Sequence, residues 1–381
     1  MQASTYYVIS NMPHTTADSS TQRVRVAVLG AAGGIGQPLS LLLKTQLAQV
    51  LGDANASLEL ALYDVAADAL AGVAADLSHV NTPVEVSHHV PSSREDEEAL
   101  REALTGASVV VIPAGVPRKP GMTRDDLINI NAGIIKTLAK GIAGACDLEK
   151  VFVLVISNPV NSLVPVMVRQ LIRHAEAKQA PHAGVERRVF GVTQLDMVRA
   201  SAFVRSLGEL GNEVPSVPVI GGHSGETILP LFGPVQQRLQ FSLEQRKKLT
   251  HRVQYGGDEI VAAKKGAGSA TLSMAYAAYV VAERFTNLVL GNVSEIQETL
   301  YVSLYDRENK PIAEGAAELL SNIGETPYFA VPVKISADAG VVRVEHEVWQ
   351  QLDDYDREHL LPACLEGLRK NIETGETLGS N

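Results

Sequence analysis

Cysteine is scarce in this sequence, and long apolar runs are absent. The two cysteines among 381 residues, Cys146 and Cys364, stand far apart in the chain. Their number and spacing fit neither a zinc site nor a disulfide framework, which indicates a reducing compartment. The longest apolar runs, at 109–116 and 274–282, are much shorter than the ~18 residues of a membrane-spanning helix. We therefore expect no metal site and no membrane span.

Positive charge is also in short supply. Lysine and arginine total 33 against 43 aspartate and glutamate residues, which gives a formal net charge of −10. This balance provides no broad basic surface for nucleic acid or for an anionic membrane. Residues 1–22 contain no lysine or arginine, so they lack the features of a secretory signal or an organellar presequence. We expect a flexible tail there and a cytoplasmic protein, with an organelle as the open alternative.

What the sequence does contain is an alternation of apolar strands and helical patterns. A β-branched run at 24–29 ends in glycine, and leucines at helical spacing follow at 37–48. Further runs typical of buried strands occupy 58–63, 109–112 and 151–156. Alternating strands and helices predict an α/β fold with a doubly wound parallel sheet, the Rossmann arrangement.

The alternation is interrupted at 173–188, where histidine, lysine, proline and glycine accumulate. We place a domain boundary there, with a tail at 1–22, a nucleotide-binding domain at 23–188 and an α+β domain at 189–381. Near the end of the chain, Leu361, Leu365, Leu368 and Ile372 follow one another at spacings of three or four. This spacing predicts an amphipathic helix over 353–374.

A glycine-rich turn connects the first predicted strand to the first predicted helix. The turn consists of Gly30, Ala31, Ala32, Gly33, Gly34, Ile35 and Gly36. Missing side chains let the backbone approach a pyrophosphate, and the helix N-terminus offers unpaired N–H groups with partial positive charge. The alternative is a tight turn that needs positive φ. Asp64 ends the next strand, where its carboxylate can bind the ribose hydroxyls of NAD and repel the 2′-phosphate of NADP. The alternative is an acidic cap at the end of a strand.

Three charged groups in the chain invite a chemical interpretation. A Pro- and Gly-containing segment after the 109–112 strand carries Arg118 and Arg124, at the sheet edge where doubly wound folds bind ligands. From charge alone, a solvated loop is the other interpretation. Asp196 and Arg199 share a helical face, where a surface ion pair is the plain alternative. His223 stands among glycines after an apolar strand that includes Val219 and Ile220. Glu226 replaces the last glycine of a nucleophile elbow around Ser224, which disfavours a hydrolase.

With these residues in place, the chain resembles NAD-dependent malate dehydrogenases of the mitochondrial and bacterial dimeric type, from residue 24 to about 373. The strings that carry the resemblance are GAAGGIGQPLSLLLK, VAADLSH, IPAGVPRKPGMTRDDL, ISNPVNS, FGVTQLDMVRA, PVIGGHSG and GAGSATLSMAYA. They stand in the order that the family has. The resemblance implies reversible hydride transfer between malate and NAD, and a homodimer.

The resemblance also implies a role for each matched residue. His223 would exchange a proton with the substrate, and Asp196 would orient its ring. Arg199 would bind one substrate carboxylate, Arg118 would bind the other, and Arg124 would polarise the carbonyl. The residues expected to contact NAD are Gly30 to Gly36, Asp64, Asn131, Ile156, Asn158 and Met274, of which Asn158 would also bind substrate.

Two other functions stay open at this point. A 2-hydroxy acid dehydrogenase of broader specificity would need Arg118 to be replaced or turned away, and it is retained. A catalytically silent NAD-binding protein would be compatible with the tail and with the long connections near 46–57, 95–102, 178–186 and 306–321. The intact histidine, aspartate and arginines argue against that alternative.

Overall fold

Six parallel strands form the first part of a single sheet. The computed structural model describes residues 22–52, 56–93, 95–116, 124–207 and 212–380. The strands run in the spatial order β3-β2-β1-β4-β5-β6. Their bounds are β1 Gln22–Leu29, β2 Ala56–Tyr63, β3 Glu85–His89, β4 Ala107–Ile112, β5 Phe152–Val155 and β6 Val189–Gly191. The sheet is thus doubly wound, with its reversal point between β1 and β4.

Helices connect these strands. They are α1 Gly36–Val50, α2 Ala67–Ser78, α3 Glu98–Leu104, α4 Arg124–Ala145 and α5 Val160–Lys178. The predicted strands and the first predicted helix all appear, with ends shifted by one or two residues. β4 and the last four residues of β1 are buried almost throughout, because both faces of a parallel sheet are covered by helices. The prediction of a doubly wound α/β domain is confirmed.

The second part of the chain continues the same sheet with antiparallel strands. These are β7 Val219–Gly221, β8 Ile228–Pro230, β9 Glu295–Ser303, β10 Tyr328–Ser336 and β11 Gly340–Val344. Its helices are α6 Gln194–Arg205, α7 Gly233–Leu239, α8 Leu243–Ala263, α9 Leu272–Val289, α10 Ala316–Asn322 and α11 Leu361–Ser380. The two parts join where Gly191 of β6 pairs with Tyr301 of β9. The predicted boundary at 188/189 falls just before β6, which still pairs in parallel with β5.

The predicted C-terminal amphipathic helix is present but longer. A π-helical turn at Asp356–Leu360 leads directly into α11. Leu368 and Ile372 are buried, whereas Leu361 and Leu365 are half-buried against the same core. Glycines let the last turns of α11 approach α5, because a Cβ on Gly375 would clash with the carbonyl oxygen of Ser162 and one on Gly379 would lie 3.2 Å from Cα of Val166.

One large core spans both parts of the chain. Phe152 and Phe190, from the parallel strands, pack against Phe285 of α9, with ring centroids 5.0 and 5.1 Å from that of Phe285. Helix α9 therefore packs with the first part of the fold, where it also contacts α1. A smaller apolar cluster lies between α6 and α8. Among the described helices, none has the length and apolar character needed to cross a lipid bilayer.

Candidate active site

The glycine turn after β1 forms a tight backbone cradle. Gly30 has a φ of +100°, and a Cβ on it would lie 2.6 Å from the Cα of Ala114. Only glycine fits this position, because both the φ and the close approach exclude a side chain. The backbone N–H groups of Gly34, Ile35 and Gly36 form no hydrogen bond with any described residue. Unpaired donors at the start of α1 fit a pyrophosphate.

Asp64 stands beside this turn at the end of β2. Its Oδ2 accepts a hydrogen bond of 2.9 Å from the backbone N–H of Ala32. Its Oδ1 accepts one of 3.0 Å from the N–H of Ala66. Two backbone donors thus hold the carboxylate next to the glycine turn, where it can accept the hydroxyls of a ribose.

A cavity of about 450 Å³ opens between the turn and the segment after β4. Its lining combines the turn and Asp64 with apolar side chains, including Tyr63, Val65, Pro113, Ile134 and Leu138. An apolar cleft with one carboxylate and an adjoining helix N-terminus fits an adenosine diphosphate group. The residues present therefore fit NAD.

Asn131, expected to contact NAD, is 2% exposed and bonded within the protein. Its Oδ1 accepts a 2.9 Å hydrogen bond from the N–H of Val116, and its Nδ2 donates a 2.7 Å one to the carbonyl of Asn158. The Asn131 amide therefore connects the segment after β4 to the segment after β5. Ile156 and Met274 are both buried, whereas Asn158 is exposed three residues after the end of β5.

His223 and Asp196 form a closely bonded pair. His223 follows β7, and its Nδ1 lies 2.5 Å from Oδ2 of Asp196, in the first turn of α6. The side chain of His223 is 9% exposed and that of Asp196 is 1% exposed. Since the carboxylate accepts from Nδ1, the neutral ring leaves Nε2 as its acceptor. Nε2 forms no hydrogen bond with the described residues, so it is available to a ligand.

Arg199 lies one helical turn after Asp196. Its NH1 is 3.9 Å from Oδ1 of Asp196, and its side chain is only 13% exposed. Burial lowers the pKa of Arg199, an effect that the charge of Asp196 opposes, yet a guanidinium stays charged. The plain alternative of a surface ion pair is wrong, because both groups are largely buried. A buried cation with so distant a carboxylate favours an anionic ligand.

Asn161 is a site residue that the sequence did not single out. It is fully buried at the start of α5, and its Oδ1 accepts a 2.8 Å hydrogen bond from the backbone N–H of His223. The only sequence signal was its place three residues after Asn158 in the same string. Arg118 lies outside the described residues; Arg124 begins α4, and its side chain is also outside the description.

Comparison with known proteins identifies the family. The family model of the lactate/malate dehydrogenase NAD binding domain matches residues 24–184. That of the lactate/malate dehydrogenase alpha/beta C-terminal domain matches residues 193–378. The chain belongs to the lactate/malate dehydrogenase family.

Individual relatives agree with this assignment. The chain is 52% identical over 374 residues to the cytoplasmic malate dehydrogenase of Saccharomyces cerevisiae. The aligned region covers 96% of this chain and 97% of that protein. It is 42% identical to the mitochondrial malate dehydrogenase of Schizosaccharomyces pombe, over 96% of this chain and 94% of the relative. The fold matches the apo malate dehydrogenase of Picrophilus torridus with a TM-score of 0.71 at 21% identity, covering 94% and 98% of the two chains.

These matches confirm several predictions made from the sequence. The resemblance to malate dehydrogenases, the dehydrogenase class and NAD as cofactor are confirmed. The relatives include cytoplasmic and mitochondrial proteins, so family membership leaves the compartment open.

Proposed function

We propose that this protein catalyses the reversible oxidation of malate to oxaloacetate with NAD. The observation that carries the proposal is the buried His223–Asp196 pair with Arg199 one helical turn away. A histidine held by a carboxylate suits proton exchange with a hydroxyl, and a buried arginine suits a carboxylate. Malate offers both groups on neighbouring carbons.

The pair performs the proton chemistry of the reaction. In malate oxidation, Nε2 of His223 accepts the hydroxyl proton; in the reverse direction it returns that proton to the carbonyl oxygen. Asp196 fixes the ring through Nδ1 and stabilises the imidazolium that forms. NAD, when bound, accepts the hydride from the substrate carbon. With a side chain only 9% exposed, His223 is largely removed from bulk water.

The arginines select and polarise the substrate. Arg199 holds the carboxylate next to the reacting carbon through a two-pronged contact. Arg118 binds the second carboxylate, and Arg124 stabilises negative charge that develops on the carbonyl oxygen. Asn158, in the segment after β5, binds substrate and cofactor. The roles of Arg118, Arg124 and Asn158 rest on the family resemblance.

The glycine turn and the residues near it bind NAD. The segment from Gly30 to Gly36 holds the pyrophosphate, and Asp64 accepts the ribose hydroxyls. Ile156 and Met274 contact NAD, a role that rests on the family resemblance. Asn131, already bonded to Val116 and Asn158, acts by shaping the loop around NAD.

We further propose that the protein is a cytoplasmic homodimer. The cytoplasmic relative from Saccharomyces cerevisiae supports the compartment, and the family resemblance supports the dimer. Light scattering of the purified chain at micromolar concentration tests the dimer, which a monomer mass would contradict. A fluorescent fusion of the full chain, imaged against organelle markers, tests the compartment.

One assay tests the function. NADH oxidation is measured with oxaloacetate, pyruvate and phenylpyruvate for the wild type and for His223→Asn. We expect oxaloacetate to be preferred, and His223→Asn to bind NADH almost normally while losing most turnover, since the ring moves a proton and does not hold the dinucleotide. Preference for phenylpyruvate would indicate the broader dehydrogenase. NADH binding without turnover of any substrate would indicate the silent protein.

A further inference from the structure

Helix α8 is kinked beside the active site. Tyr255, within α8, has φ −116° and ψ 16°, outside helical geometry. Its ring lies next to Gly225, because a Cβ on that glycine would be 3.6 Å from Cε1 of Tyr255. Gly225 is two residues after His223, so the kink touches the loop that carries the histidine.

The residue after the kink faces the substrate arginine. A Cβ on Gly256 would lie 3.2 Å from Cδ and 3.4 Å from Nε of Arg199. Gly256 is buried, so the missing side chain leaves the space through which Arg199 passes. The next residue, Gly257, differs in this respect. A Cβ there would have no atom within 4 Å.

The first part of α8 is firmly anchored. Arg246 is 3% exposed and bonds to Asp353 and Asp356, where the C-terminal helix begins. One residue before the kink, Gln254 Nε2 donates a 3.0 Å hydrogen bond to the carbonyl of Ile228.

The far side of the kink is braced as well. Arg252 bonds to Glu259 across it through two hydrogen bonds of 2.8 and 3.2 Å. The same guanidinium lies 3.9 Å from the centroid of Phe203 on α6. Because α8 is held on both sides and the atoms nearest to a Cβ on Gly256 are those of Arg199, we expect the Arg199 side chain to move when Gly256 is crowded.

We propose that Gly256 is a positioning residue that sets the orientation of the Arg199 guanidinium, an inference that rests on the function proposed above. A two-pronged contact with a carboxylate depends on the plane and direction of the guanidinium. A methyl group 3.2 Å from Cδ of Arg199 is closer than ordinary van der Waals contact. It therefore tilts the guanidinium without removing its charge. The binding of the substrate carboxylate then weakens, while NAD binding at the glycine turn does not, because the groups nearest to Gly256 are Arg199 and Phe203.

The test compares Gly256→Ala with Gly257→Ala. Both substitutions remove one glycine from the same helix, and only the first adds a methyl group against Arg199. We expect Gly256→Ala to raise the KM for oxaloacetate roughly tenfold, with the KM for NADH unchanged. Gly257→Ala should match the wild type. Equal oxaloacetate KM values in the two variants would overturn the proposal, as would a parallel rise in both KM values for Gly256→Ala.

A binding measurement separates this inference from the proposed function. Malonate, a dicarboxylate that cannot be reduced, is titrated into the NADH-loaded proteins. Failure of the wild type to reduce oxaloacetate would overturn the proposed function; the positioning role is then judged by malonate affinity alone. We expect Gly256→Ala to bind malonate about tenfold more weakly than Gly257→Ala. Equal malonate affinities would overturn it.

A second pair of variants tests whether the effect passes through Arg199. In an Arg199→Lys background the side chain ends in an ammonium group, which has no planar fork to orient. Adding Gly256→Ala to that background should therefore leave malonate affinity unchanged. The comparison can also be made if Gly256→Ala alone does not fold, since the lysine side chain accommodates the added methyl group more easily than the arginine side chain does. A tenfold loss in this background would overturn the proposal.

Discussion

The backbone N–H of His223 donates to the side-chain oxygen of Asn161 at 2.8 Å. The amide nitrogen of Asn161 donates in turn to Oγ1 of Thr227 and to Oδ1 of Asn371, each at 3.1 Å. One fully buried amide thus connects α5, the histidine loop and α11. The position of the His223 ring depends on this amide as well as on Asp196.

Asn161→Ala should therefore reduce both stability and turnover. Removing the amide leaves buried donors and acceptors unpaired, at a cost of about 1–3 kcal/mol in the free energy of unfolding. We expect kcat to fall more than tenfold, because the histidine loop is no longer fixed. Urea unfolding and steady-state kinetics measure the two effects. Asn322→Ala, at an exposed position of α10, is the control; equal behaviour of the two variants would contradict the role of Asn161.

Asp64 should determine the choice of dinucleotide. A 2′-phosphate facing this carboxylate costs several kcal/mol, so we expect the wild type to prefer NAD by about 10² or more in kcat/KM. Asp64→Asn removes the charge, can still accept from the N–H of Ala32, and should narrow the preference at least tenfold. Asp68→Asn, on the exposed first turn of α2, should not. A preference that is unchanged in Asp64→Asn would refute this assignment.

Arg118 should bind the second carboxylate of the substrate. Removing one partner of a charge pair in an enclosed site costs roughly 3–5 kcal/mol, a loss of about 10² to 10³ in kcat/KM for oxaloacetate. Pyruvate, which offers a methyl group there, should lose nothing comparable in Arg118→Gln. Comparing both substrates with Lys119→Gln as control gives the answer. Equal losses for oxaloacetate and pyruvate would mean that Arg118 serves loop closure or the cofactor.

Glu298 on β9 should make stability depend on pH. Burial raises the pKa of Glu298 to about 7, against the opposing charge of its ion-pair partner Arg284. As pH rises from about 4.5 to 7, the unfolded chain releases this proton while the folded protein retains it, so stability falls. Glu298→Gln cannot release this proton, so its stability should not fall in this way. The difference in the free energy of unfolding between Glu298→Gln and the wild type should grow by on the order of 2 kcal/mol as pH rises through this range.

Urea unfolding at pH 5, 6, 7 and 8 measures this difference. Glu295→Gln, at an exposed position of the same strand, should show no such trend. A constant difference between the wild type and Glu298→Gln across these pH values would show that Glu298 is ionised throughout.

Much of the parallel sheet could be predicted because its strands are buried on both faces. Such strands are continuous apolar runs, as in β4 and β5, and the run itself is visible in the sequence. The strands that were not predicted are β3, β6, β8, β9, β10 and β11. β6 and β8 have three residues each, too few to show a periodicity, and β6 forms because β5 and β9, which are far away in the sequence, pair with it.

The residues of the candidate site also divide into those that could be predicted from the sequence and those that could not. His223, Asp196 and Arg199 could be selected because their residue types suit the chemistry and match a family motif. Asn161 could not be selected on these grounds, since it touches no reacting group and its partners His223 and Asn371 are 62 and 210 residues away. The amide of Asn131 was likewise assigned to NAD, while its bonds to Val116 and Asn158 depend on how two loops meet.

The packing of Phe285 on Phe152 and Phe190 has a consequence for how the molecule unfolds. Helix α9 belongs to the second family domain in sequence, yet it completes the core of the first. Separating residues 22–192 from residues 193–380 would therefore strip apolar cover from β5 and leave β6 without its antiparallel neighbour β9. The two sequence domains should lose their structure together, in one cooperative transition.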